Sequence, residues 1–347
     1  MNIIGTMNKN TISYENFILW QPAENGLRII RVYGNSPRLT LPEHIGDTPV
    51  TEIGPYCFSS SLPGYSGPLY YSRCLPDGTG SKEDGLLSTS LQEAESGRFP
   101  LSGNSIEEVR LPAQVHTLHN GAFYNCRQLK TLSVGPGLTG VGSDCFTNNR
   151  NFSRLLIRTD PHSRHGLRLL LERLSQDMTV IFLADSGREI CSLYFPEYYE
   201  WLDEISPAHL FSRSINGAGF RMRKCFRDNR LDFEKYDQCF ESALREESDE
   251  TLCRICFCRL SSPTDLKDRF RDAYEEALRE RLKAALTFTI RQRDSGTLSW
   301  LCRTFSPDRT LLRSARELCL DRDWSEGTSL LMEISAAANI RKRFDFD

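Results

Sequence analysis

A step of 23 residues runs through the middle of the chain and limits what it can fold into. Val109, Leu111, Leu118, Phe123 and Asn125 recur 23 residues later as Leu132, Val134, Val141, Phe146 and Asn148. A third start follows at Phe152, Leu155 and Ile157, 23 residues beyond Leu129, Leu132 and Val134. A unit of this size buries too little apolar surface to stand alone, so it has to stack on copies of itself. A fixed period in the twenties therefore predicts a solenoid. Strand side chains alternate between faces. Val109, Leu111, Leu132, Val134, Leu155 and Ile157 are expected to point into the core, and Phe58, Phe123 and Phe146 to form one interior column.

A divergent unit precedes these. Leu39 and Leu41-Pro42 match Val109 and Leu111-Pro112, and Ile53 and Phe58 keep the spacing of Leu118 and Phe123. The run from Leu41 to Phe58 (Leu-Pro-Glu-His-Ile-Gly-Asp-Thr-Pro-Val-Thr-Glu-Ile-Gly-Pro-Tyr-Cys-Phe) resembles the BspA-type bacterial leucine-rich repeat, as does Gly121-Ala-Phe-Tyr-Asn-Cys126. Units of that family read roughly apolar-x-Ile-Pro, then Val-x-x-Ile-Gly-x-x-Ala-Phe-x-x-Cys. The resemblance spans about residues 15–160 and implies a leucine-rich-repeat fold and a bacterial source. His119 stands where Gly54 and Gly142 keep a glycine, which implies a strained turn if that position has a positive φ.

Around this core the chain divides by pattern, and the fold class is α+β. Residues 1–35 read as an N-terminal β cap, with Glu24-Asn25-Gly26 as a hairpin turn between apolar runs. The repeats occupy 36–160. They are interrupted at 61–104 by a Gly-, Ser- and Pro-rich insert whose composition favours no regular structure; a flap beside the binding face is the alternative. Residues 161–205 read as a cap and hinge, a short helix plus a β-hairpin. From 206 to 347 apolar residues recur at three and four, as in Phe233, Tyr236, Phe240 and Leu244, with breakers at Ser261-Ser-Pro263, Asp294-Ser-Gly296 and Ser306-Pro307-Asp308. The stretch from Leu318 to Glu333 resembles the core of an ankyrin unit, and Trp300-Leu301 against Leu330-Leu331 marks an earlier unit 30 residues upstream. A stack of helical hairpins is expected.

Charge and cysteine usage narrow the function. A formal net charge of −3 over 347 residues argues against a whole-chain polyanion binder. The start, Met1-Asn-Ile-Ile-Gly-Thr-Met7, lacks the charged and apolar regions of a secretory signal. Many proteins of the resembled family are exported; this start predicts a cytoplasmic chain instead, with the 12 cysteines acting mainly as small buried hydrophobes. No membrane association is expected, and the oligomeric state is left open.

The neighbours of the core positions line the exposed strand face in two ladders. One is Arg38, Glu108, Thr131 and Arg154; the other is Thr40, Arg110, Ser133 and Leu156. Solenoids bind partners on such concave faces, so these eight are the candidate partner-binding residues; a merely solvated sheet is the alternative. A second candidate is the basic, aromatic-interleaved stretch 211–230, where Arg221, Arg223, Lys224, Arg227 and Arg230 suit phosphate and stacked bases. The acid-rich helices that follow, with Glu241, Glu246, Glu247, Asp249 and Glu250, make internal pairing the plainer account.

Cys253-x-x-Cys256-x-Cys258, with Cys225 and Cys239 upstream, supplies only one zinc-type knuckle, inside a helical apolar run, and reads as core rather than metal site. For Cys/His chemistry the candidates are Cys145 with His116, His119, His162, His165 or His209. None sits in a nucleophile elbow, and no glycine-rich phosphate loop follows a strand. The expectation is a non-enzymatic scaffold for a protein partner, with no cofactor and no metal. The alternatives are a nucleic-acid or polyanion binder and a Cys/His enzyme.

Overall fold

The computed structural model describes residues 15–61, 65, 67–88, 98–205 and 210–344. It is α+β, a β-solenoid followed by a helical region. The chain falls into two compact units: the residues up to Ile190 together with Phe226–Leu231, and Cys191–Cys225 together with the chain from Asp232 onward.

The first unit opens with an antiparallel hairpin of β1 (Asn16–Ala23) and β2 (Gly26–Tyr33). The first repeat follows as β3 (Arg38–Thr40), β4 (His44–Ile45) and β5 (Thr48–Ile53). β2 pairs in parallel with β5, which seats the hairpin on the edge of one solenoid sheet. The described part of the insert is not structureless: β6 (Leu69–Cys74) and β7 (Lys82–Ser88) extend the sheet beyond β1. The reason lies across the strands. Tyr70 stacks on Trp20 at 4.7 Å and Tyr71 on Phe17 at 5.1 Å, and Trp20 Nε1 donates to the buried Ser72 hydroxyl at 2.9 Å. Composition averages over such pairs, so it misses them.

The repeats proper wind between two sheets. One holds β3, β8 (Glu108–Arg110), β10 (Thr131–Val134), β12 (Arg154–Ile157) and β13 (Met178–Leu183), all parallel, with Leu39, Val109, Leu132, Leu155 and Val180 abreast. The other holds β5, β9 (Thr117–Leu118) and β11 (Gly140–Val141), with Ile53, Leu118 and Val141 abreast. Between the sheets the aromatic rings form the expected column. Phe58 stacks on Phe123 at 4.9 Å, Phe123 on Phe146 at 5.7 Å, and Phe146 meets Phe152 at 5.3 Å. Rungs one period apart tie the turns: Asn148 Nδ2 donates to Asn125 Oδ1 at 2.8 Å, and Lys130 pairs with Glu107 at 2.9 Å.

The turns explain the glycines differently from expectation. At this turn the left-handed residues of successive units are Tyr56, Gly121 and Asp144, at φ 53°, 63° and 53°; Gly54, His119 and Gly142 are not left-handed. Gly54 and Gly142 are small because backbone comes close. An added Cβ would lie 2.8 Å from Ile29 O in the first case and 2.4 Å from Asn120 N in the second. His119 therefore carries no backbone strain. One turn is also held by a buried cation, for Arg31 Nη1 donates to the carbonyls of Tyr56 (3.2 Å), Cys57 (3.3 Å) and Ser59.

Past the repeats come α1 (Leu167–Leu171) and β14 (Glu189–Phe195), which carries the chain from the first unit into the second. In the second unit β15 (Tyr199–Ile205) and β16 (Leu210–Asn216) form a hairpin. Helix thus begins only at α2 (Gly219–Met222), later than the periodicity from residue 206 implies. Cross-strand pairing outweighs local propensity over 210–216. β17 (Phe226–Arg227) and β18 (Arg230–Leu231) make a small hairpin that belongs with the first unit.

The helices α3 (Phe233–Gln238), α4 (Phe240–Glu246), α5 (Asp249–Ser261), α6 (Asp268–Glu280), α7 (Leu282–Gln292), α8 (Ser295–Phe305), α9 (Arg309–Asp321) and α10 (Ser325–Phe344) then follow. Asp232, Ser248, Asp294 and Asp308 cap α3, α5, α8 and α9 by accepting from the backbone amide three residues on. α5 packs on α6 and α7, α7 on α8 and α9, and α9 on α10. At the centre of α3, α5 and α6 lies a fully buried ion pair. Arg259 Nε and Nη2 meet the Asp237 carboxylate at 2.7 and 2.8 Å, and Tyr274 donates to the same carboxylate at 2.8 Å.

Candidate functional site

Parallel pairing puts the eight ladder residues into two columns. Arg38, Glu108, Thr131 and Arg154 lie abreast, as do Thr40, Arg110, Ser133 and Leu156. Register follows from the buried alternation, because a slip of one residue would turn Leu39, Val109, Leu132 and Leu155 outward. Arg38, Arg110 and Arg154 are exposed, and Thr40, Glu108, Thr131 and Leu156 are half-buried. Ser133 is only 5% exposed, so it offers little to a partner. Arg38 Nε lies 3.5 Å from Glu108 Oε1, an exposed pair of small energetic weight. The side chains of Arg110 and Arg154 make no hydrogen bond or ion pair with any described residue.

The face is larger than the period implies. β13 adds Thr179 beside Arg154 and Ile181 beside Leu156, both half-buried. The step from Leu155 to Val180 is 25 residues rather than 23, so counting by the period passes over it. Arg158 extends the face beyond β12. Its Nη2 donates to Leu111 O, and Nη1 lies 3.7 Å from Glu43 Oε1. Burial, with Arg110 nearby, holds the Arg158 guanidinium below its ordinary pKa.

A second charged cluster lies at the other sheet. Glu52 Oε2 accepts from Arg28 Nε at 2.6 Å and meets His119 Nε2 at 2.7 Å. Burial works against the Glu52 charge, but the bonds from His119 and Arg28 outweigh it and hold the carboxyl below the usual carboxylate range. Side chain and turn explain His119 without any chemistry.

The basic stretch is divided between the two units. Arg221 Nη2 pairs with Glu246; Arg223 is buried, donating to the carbonyls of Pro196 and Gly219 over the rings of Phe195 and Tyr198. Lys224 Nζ sits 5.2 Å over Phe220. Arg227 and Arg230 lie on the β17–β18 hairpin and belong with the first unit. The side chains of residues 211–213 lie outside the described residues, as do His209 and the side chains of Arg341-Lys342-Arg343.

Among the described residues no hydrogen bond joins Cys145 to His116, His119 or His165. Burial pushes the Cys145 thiol up to about 12, the wrong direction for a nucleophile. His165 packs between Phe182 and Phe226 at 5.1 and 6.4 Å, with its Nε2 3.3 Å from Pro161 O. Cys253 and Cys256 are buried on α5, their thiols pushed up by burial. Cys225 and Cys239 do meet, Sγ to Sγ at 3.6 Å; the bond between them raises the first thiol and lowers the second. Among the described residues no helix is long and apolar enough to cross a membrane.

Residues 87–163 match the model of the BspA type leucine rich repeat region (6 copies). The match covers part of the solenoid and stops short of the helical region. Searches of curated proteins and of solved structures gave no significant match.

Proposed function

We propose that the chain is a non-enzymatic protein-interaction scaffold that docks a partner on the face of β3, β8, β10, β12 and β13. One observation carries this: side chains at one position of successive repeats stand abreast in columns on an open parallel sheet. Such a face is wide, rigid and pre-formed, so little conformational entropy is lost when a partner docks. Leucine-rich-repeat solenoids are typical of interaction scaffolds and generally non-enzymatic. The helical region, with its hairpin-like succession of α5 to α10, is read as an ankyrin-like second body that adds a further surface. No disulfide joins any two of the twelve cysteines among the described residues. That state suits a reducing compartment, and we read the chain as cytoplasmic.

The test is site-specific cross-linking. A photo-reactive benzoylphenylalanine at Thr131, in the middle of the face, should yield a discrete adduct in cells that make the protein. The same group at the exposed Arg150, on a turn, should not. Equal adducts at both positions, or none at Thr131, would remove the face as the docking site.

A further inference from the structure

The face carries more positive than negative charge, and two of its cations are uncompensated. Arg110 and Arg154 are exposed, and their side chains bond to no described residue. Arg158 is drawn toward Glu43 at 3.7 Å, yet lies near enough to Arg110 for the two guanidinium charges to oppose each other. Like charges held together by the sheet are a repulsion that a bound anion relieves. The sheet also fixes their spacing. Arg110 is abreast of Leu156, two strands away, and Leu156 lies two residues beyond Arg154. Strands about 4.8 Å apart and rising about 3.3 Å per residue put the two Cα atoms about 12 Å apart. That is about the length of four residues of extended or polyproline-type chain. Beside the cations stand the half-buried apolar Leu156 and Ile181.

We propose that this face takes an acidic, extended segment of a partner protein, with carboxylates four residues apart on Arg110 and Arg154 and an apolar side chain between them against Leu156. The proposal rests on the docking reading above and adds the chemistry of the occupant. Guanidinium groups bind carboxylates through two parallel hydrogen bonds, which suits exposed arginines on a rigid base. A nucleic acid fits less well. Neither column contains an aromatic ring on which a base could stack, and Glu108 stands in one of them against phosphate.

Fluorescence anisotropy on the full chain tests this. The probe is a fluorescein-labelled peptide of three tandem Glu-Ser-Leu-Ser units, which places carboxylates four residues apart with leucine midway. It should bind, and lose about tenfold in affinity between about 50 and about 300 mM salt. Its Lys-Ser-Leu-Ser counterpart should not bind. Arg110→Glu and Arg154→Glu should each weaken the acidic peptide about tenfold, and the double variant should prefer the basic peptide. Both side chains are exposed, and unchanged thermal melts confirm that the variants fold. Binding of both peptides alike, indifference to either substitution, or preference for a short single-stranded DNA overturns the proposal. Should Thr131 still cross-link to a partner while the acidic peptide fails to bind, the docking face stands and the acidic occupant falls. Should both fail, both readings fall.

Discussion

Asp237 and Arg259 are fully buried, and each is tolerable only beside the other. The Asp237 carboxylate raises the Arg259 pKa, although burial alone would lower it. Removing one partner leaves an unpaired charge in the core. Asp237→Asn is therefore expected to cost about 3–5 kcal/mol, read from urea unfolding; a cost under about 1 kcal/mol, the weight of an exposed pair, would show that the pair does not hold the helices together. His165 sits in a similar position with the opposite sign. Burial opposes its charged form and lowers its pKa. The fold holds the neutral ring, so its contribution to stability is complete above about pH 6.5 and is lost as pH falls from there through the folded value. His165→Phe should flatten the fall in urea midpoint between about pH 7 and about pH 5; equal slopes for variant and wild type would rule that out. Neither the pair nor the role of His165 was legible in the sequence. His165 was one of several histidines with no context, and the Asp237–Arg259 pair spans 22 positions with no pattern between.

Among the elements, the aromatic column is what the repeat exists to build. Phe123 is stacked on both sides, by Phe58 and Phe146. Phe123→Ala would open a cavity that neither neighbour can fill without leaving its own turn, and should cost about 3–5 kcal/mol, measurable by chemical denaturation. A loss near 1 kcal/mol would mean that the column collapses to fill the gap. This element was readable in advance, because the ring positions recur at the period of the core strands. The helix breaks at 294–296 and 306–308 were readable for a similar reason, since breaker chemistry is local; there Asp294 and Asp308 cap the helices that follow. β6 and β7 were not readable, and β13, legible as a strand, was not legible as a member of the repeat sheet. The first two owe their place to rings on β1, and the last joins the sheet after a step of 25 residues.

For the whole molecule, a solenoid makes a prediction no globular core would. Deleting residues 119–141, one full period, should join Leu118 to Gly142 with the turns still in register. Deleting residues 119–138, three residues fewer, should not. Circular dichroism and thermal melts should show a cooperative fold for the first deletion and its loss for the second. Equal behaviour of the two would argue that the period is incidental to the fold. At the same scale, the candidate face divides into what pattern reveals and what space decides. The two columns follow from alternation and period. Which of their cations remain unpaired does not: the Arg154 side chain meets no partner among the described residues, whereas Arg223, the same residue type in a more promising motif, is buried against Pro196 and Gly219.

The sequence by itself determined the repeat, the aromatic column, the register of the face and the helical character of the last third, because each depends on spacings of a few residues or on one constant step. Only the tertiary structure decided that β13 extends the face, that Asp237 meets Arg259, that residues 226–231 belong with the first unit, and that the Arg110 and Arg154 side chains find no counter-charge among the described residues. Those outcomes depend on distances in space between residues with no regular separation along the chain, and electrostatic and packing energies act on the former alone.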